Sequence, residues 1–73
     1  MSDKDIYMWI QNGDVVRGEL NFEKGTLVFF GRDGNILLKR SGLTRKQLTR
    51  IKKQIEKKLD SRNKVGFYYL MVF

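Results

Sequence analysis

Leu43-Thr44-Arg45-Lys46-Gln47-Leu48-Thr49-Arg50-Ile51-Lys52-Lys53-Gln54-Ile55-Glu56-Lys57-Lys58-Leu59 is the stretch on which the fold turns. Thr44 is a strong N-cap residue, and Gln47 three positions on completes a capping box, in which each residue's side chain binds the other's backbone N–H. Leu43 before the cap and Leu48 at the fourth helical position have the spacing of a hydrophobic staple. Leu48, Ile51, Ile55 and Leu59 then recur at intervals of three and four, one apolar face of a helix. The pattern predicts an amphipathic helix over 44–62, with Asn63 able to take a left-handed cap. At about 100° per residue, Lys46, Arg50, Lys53 and Lys57 fall on the face opposite the apolar stripe.

Upstream of this helix the chain is punctuated by turns. Asn12-Gly13 and Asp33-Gly34 are strong hairpin dipeptides, because type I′ turns need positive φ at both central residues. Glu23-Lys24-Gly25 reads as a third, slightly longer turn. Ile6–Gln11, Val15–Phe22, Thr26–Gly31 and Asn35–Arg40 lie between the turns and read as strands. Val65–Phe73 is apolar at both alternating sets of positions, as in a strand buried on both faces or in an interface. The expected fold is α+β in a single domain spanning 1–73. It comprises a four-stranded antiparallel meander over 5–41, one amphipathic basic helix packed on one sheet face, and a short C-terminal fifth strand over 65–73.

Pairing across Asn12-Gly13 would place Tyr7, Trp9, Val16 and Leu20 on one sheet face, with Ile6, Met8, Ile10 and Val15 on the other. Strands with apolar residues at both parities give two apolar faces, and one helix covers only one of them. A homodimer is the expected cover, since a symmetric pair is the commonest way to bury such a surface.

The chain has 73 residues, no cysteine and no histidine. Disulfides are thereby excluded, and the usual zinc, haem and iron–sulfur ligand sets are missing, so no metal or cofactor is expected. Asn12-Gly13-Asp14 and Arg32-Asp33-Gly34-Asn35 lack calcium-loop spacing and read as turn chemistry. Without histidine or cysteine, a nucleophile would have to be a serine or threonine. Ser2, Ser41 and Ser61 each fall at a terminus or element boundary, so no enzymatic activity is expected. The polar, acidic start is unlike a signal peptide, and the longest apolar run is far short of the ~20 residues of a membrane span. An intracellular, cytoplasmic protein is expected.

Charge carries the functional reading. Residues 1–44 hold six basic and six acidic side chains, whereas residues 45–73 hold nine basic and two acidic, which is the whole net charge of +7. A field this concentrated attracts a polyanion. The sequence points to a small nucleic-acid-binding protein, DNA or RNA, that contacts phosphates through Lys46, Arg50, Lys53 and Lys57, flanked by Arg45, Lys58, Arg62 and Lys64. Arg50 is the one arginine of the central stripe. The alternative is a protein–protein assembly module using an uncovered apolar sheet face or an edge strand. A peripheral membrane binder fits less well, because the narrow aliphatic stripe is needed by the sheet and lacks the Trp or Phe of an interfacial helix.

Asn12-Gly13-Asp14-Val15-Val16-Arg17-Gly18-Glu19-Leu20 resembles the second and third strands of Sm-like RNA-binding barrels. The N-terminal helix and second motif of that family are not read here. Four strands followed by an amphipathic helix, with Ile36–Arg40 leading into Leu43–Ile55, is similar to single-stranded-DNA-binding coactivator proteins that dimerise through that helix. A strand after the helix departs from their layout. Both are likenesses of fold pattern, and neither assigns a family.

Overall fold

The computed structural model describes residues 4–60 and 69–73. It is α+β, with two helices and a four-stranded mixed sheet. In chain order the elements are α1 (Lys4–Gln11), β1 (Arg17–Asn21), β2 (Thr26–Phe30), β3 (Ile36–Arg40), α2 (Arg45–Asp60) and β4 (Tyr69–Val72). The sheet order is β3-β2-β1-β4. β1 and β2 pair antiparallel, as do β2 and β3, while β4 runs parallel to β1.

The structure departs from the sequence expectation in two places. The segment expected as a first strand, Ile6–Gln11, lies in helix α1. Ile6 and Ile10, one helical turn apart, are both buried, whereas Met8 between them is 68% exposed. Asp5 in the first turn complements the positive end of the helix dipole. The helix stops at Asn12, whose N–H reaches back three residues to the Trp9 carbonyl (3.1 Å). The Asn12 side chain then accepts a bond from the Asp14 N–H at 2.8 Å, closing a local turn. Neither Asn12 nor Gly13 has positive φ, so this dipeptide makes no type I′ hairpin. An N-terminal helix therefore does precede the Asn12–Leu20 stretch. The second departure is that the sheet is mixed. The meander has three strands, and the C-terminal strand joins it parallel to β1 rather than standing as a fifth.

The remaining turns sit where expected, with different chemistry. β2 and β3 are joined by residues 31–35. Gly34 takes φ +85°, the Gly31 N–H bonds the Asn35 carbonyl at 2.8 Å, and the Gly34 N–H bonds the Gly31 carbonyl at 3.1 Å. Asp33 keeps negative φ and instead accepts the Asn35 N–H at 3.2 Å. This is a turn closed by a left-handed glycine, not a two-residue loop. The β2–β3 register slips by one residue beside it, so that Phe29 faces Leu38 while Phe30 faces Ile36.

One hydrophobic cluster holds the molecule together: Ile6 and Ile10 from α1, Val15 from the lead-in to β1, Leu20, Leu27, Phe29 and Leu38 from the sheet, and Leu48, Ile51 and Ile55 from α2. The sheet members follow its register, with Leu20 opposite Leu27 and Phe29 opposite Leu38. On the other side of the sheet Val28 and Phe30 are half-buried, and the Arg17 guanidinium lies 3.9 Å over the Phe30 ring. Arg17 Nε also stands 3.2 Å from a Glu19 carboxylate oxygen. Tyr7 and Trp9 belong to α1 and pack against the core. The two-faced distribution expected for the first hairpin therefore does not form, and two helices contribute to the core.

Candidate nucleic-acid interface

Local chemistry fixes where α2 begins. The Thr44 N–H donates to Gln47 Oε1 at 2.9 Å, and the Gln47 N–H donates to Thr44 Oγ1 at 3.1 Å, a closed capping box. A second constraint comes from the β1–β2 turn. Gly25 has φ +67°, and its carbonyl accepts the Leu43 N–H at 3.0 Å. A side-chain carbon at Gly25 would stand 2.6 Å from the Leu43 carbonyl oxygen. The residue before the cap is thus held to the β1–β2 turn by a contact only glycine allows, which helps fix where α2 begins.

That phase buries Leu48, Ile51 and Ile55 completely and leaves Leu59 partly covered. α2 lies beside α1 and approaches β4. Lys46, Arg50, Lys53 and Lys57 are all exposed, as is Arg45, while Lys58 is half-buried. Arg62 and Lys64 lie outside the described residues, as does the expected left-handed cap at Asn63. From Lys46 to Lys57 the stripe runs about 16 Å along the helix axis, at 1.5 Å per residue. That length matches roughly five phosphates on one strand of a duplex, at 3.4 Å per charge.

The electrostatics of this face are one-sided. Among the described residues the ion pairs are Arg17–Glu19 and Arg40–Asp5, and neither involves α2. No described cation of the helix, from Arg45 to Lys58, makes an ion pair or a side-chain hydrogen bond there, and Glu56 pairs with none of them. Lys46–Arg50, Arg50–Lys53 and Lys53–Lys57 are like-charge neighbours at three or four residues, together costing about 1 kcal/mol of helix stability. The first turn of α2 contains no acid, so Arg45 and Lys46 also sit at the positive end of the helix dipole. Burial of three large aliphatic side chains, at about 1.5–3 kcal/mol each, outweighs these costs.

One neighbour of the stripe was not legible in the sequence. Gln11, the last residue of α1, meets Gln54, Lys57 and Lys58 around a shallow cleft of about 260 Å³. Two amides thus stand beside two ammonium groups. With Ile6–Gln11 read as a strand, no local signal could have placed Gln11 there. Lys52 is half-buried and lies outside the expected stripe. A second shallow cleft, of about 290 Å³, is lined by Asp14, Gly31, Arg32, Asp33 and Leu37.

No helix among the described residues is long and apolar enough to cross a membrane. In comparisons with known proteins, the chain matches no family model, no curated protein and no solved structure.

Proposed function

We propose that this protein binds nucleic acid through the exposed face of α2 and acts by binding rather than by catalysis. The supporting observation is the row Lys46, Arg50, Lys53 and Lys57, exposed and without an acidic partner among the described residues, on a helix whose other face is locked in the core. A solvating surface ordinarily mixes charges of both signs. A row that accepts its own repulsion, and adds cations at the positive end of the helix, suits a ligand that brings the missing negative charge. Phosphate contacts of this kind give affinity and register, with little sequence readout.

A salt titration of binding, followed by fluorescence anisotropy on labelled duplex DNA, single-stranded DNA and an RNA hairpin, tests the reading. With four to six phosphate contacts, log K falls against log salt with a slope of roughly −3 to −5. Replacing Lys46, Arg50, Lys53 and Lys57 together by glutamine keeps helix propensity nearly unchanged. It should flatten the slope and weaken binding to every sequence alike. Unaltered affinity in that variant rejects the assignment. The second reading, an assembly module, draws on the exposed apolar side chains Met71, Val72 and Phe73 at the sheet edge, and these have their own consequence.

A further inference from the structure

The two edges of the sheet are built differently. β3 carries Lys39 and Arg40, and its register with β2 is broken by the slip at Phe29/Phe30. Charges and bulges are the devices by which proteins keep an edge strand from pairing with another chain. β4 has neither: it reads Tyr69-Leu70-Met71-Val72, followed by Phe73, without one charged residue. Met71, Val72 and Phe73 are 39%, 46% and 59% exposed.

The backbone of β4 shows what this edge offers. The Phe73 N–H bonds the Leu20 carbonyl at 2.8 Å, and the Phe73 carbonyl accepts the Phe22 N–H at 3.3 Å. Phe73 therefore points both of its backbone groups at β1. In a parallel ladder alternate residues do so, and the residues between them point theirs the other way. Leu70 and Val72 thus present N–H and C=O groups on the side of β4 away from β1, where no other described strand lies. The side chains alternate at right angles to this. Val72 is in register with the buried Leu20, on the core side, and Met71 is in register with Glu19, on the other side.

We propose that β4 pairs antiparallel with β4 of a second copy of this chain, about a two-fold axis passing beside Met71. In that register Leu70 faces Val72 of the second copy and Val72 faces its Leu70, so the four outward N–H groups and four outward carbonyls yield four hydrogen bonds. Val72 then lies against an apolar neighbour on the core side, and the two Met71 side chains meet on the opposite side. A strand apolar at both parities needs a partner apolar at both parities, and β4 is itself such a strand. With no charge on the strand, this edge meets its copy without like-charge contact, although each chain carries +7. Two short strands bury far less than the ~1,600 Å² of a standard interface, so the dimer is weak and concentration-dependent. This gives the expected homodimer its contact and does not depend on nucleic acid.

Sedimentation without nucleic acid, in salt high enough to screen the net charge, tests the pairing from roughly ten to a few hundred micromolar, the range suited to a weak interface. The expected result is a mass rising toward twice the 8.6 kDa of one chain. Val72→Pro removes an N–H that points away from β1, so it takes out two of the four intermolecular bonds while sparing the ladder to β1. It should sediment as a monomer with native circular dichroism. Met71→Cys places the only thiol of the molecule at the two-fold axis. There, non-hydrogen-bonded antiparallel neighbours lie about 4.5 Å apart at Cα, within disulfide range. Mild oxidation should link this variant into a dimer and leave an Ile36→Cys control on the opposite edge as a monomer. A wild-type chain that stays at 8.6 kDa throughout, or equal cross-linking of the two cysteine variants, overturns the proposal.

Discussion

Gly25→Ala is expected to be among the most damaging single-atom-scale changes in the chain. Gly25 has φ +67°, where a side-chain carbon costs about 1–2 kcal/mol on backbone grounds alone. The added carbon would stand 2.6 Å from the Leu43 carbonyl oxygen, which is main chain and cannot rotate aside. Relieving that overlap means moving the start of α2 away from the β1–β2 turn, at about 1–3 kcal/mol by analogy with overpacked cores. The sum is about 2–5 kcal/mol, much of the stability of a small domain. Gly34 and Gly42 supply the control, because both have positive φ (+85° and +68°) and neither has a heavy atom within 4 Å of the added carbon. Alanine at either should show the backbone cost only, about 1–2 kcal/mol. Urea melts followed by circular dichroism separate the cases, since with a slope near 1 kcal/mol/M each kilocalorie moves the midpoint by about 1 M. Equal losses at all three glycines would refute the claim that the 25–43 contact helps fix where α2 begins.

Other substitutions test the packing and the cap. Ile51→Ala or Ile55→Ala should cost about 2–4 kcal/mol in urea melts, because both side chains are fully buried, while exposed Lys53→Ala should change stability by well under 1 kcal/mol. Comparable losses for the two kinds would mean that the helix phase is wrong. Thr44→Ala leaves the Gln47 N–H without its acceptor and should lower stability by about 1 kcal/mol, seen as fraying of the first helical turn by hydrogen exchange. Asp5→Asn breaks an exposed 3.3 Å pair with Arg40 and removes the acid at the positive end of α1, and should lower stability in the same melts by about 1 kcal/mol or less.

The parts of this fold that could be read from sequence are those specified by neighbours in the chain. α2 was expected over 44–62 and spans Arg45–Asp60, because capping box, staple and apolar spacing agree within a few residues of one another. The later turns carry glycines at the positions where the backbone goes left-handed, at Gly25 and Gly34. The exposed row of cations follows from helical phase once the buried side is known. α1 was not legible for the converse reason. Ile6, Tyr7, Trp9 and Ile10 are strand formers by preference, and Asn12-Gly13 is a hairpin dipeptide. What makes them a helix is the reach of Ile6 and Ile10 into a core assembled from distant residues. The same applies to Gln11 beside Lys57. A strand within 65–73 could be expected from its apolar run, and Tyr69–Val72 is one, while 65–68 lie outside the described residues. Its choice of β1 as neighbour, and its parallel direction, have no local signature at all.

That last pairing sets an order of events. Hairpins β1–β2 and β2–β3 close over a few residues, whereas Arg17 and Tyr69 come together across more than fifty positions. Closing so long a loop costs roughly 2 kcal/mol more than closing a five-residue one, by the logarithmic law of loop entropy. Contacts of this range form late. Until β4 arrives, the outward backbone groups of Gly18 and Leu20 stand bare on a strand already fixed in place. On that order, an emerging chain would pass through an interval in which the exposed template is β1, not β4, which pulse-labelling hydrogen exchange at Gly18 and Leu20 would detect. The proposed self-association through β4 would then be open only to molecules that have finished folding, and mispairing through β1 would be the hazard of those that have not.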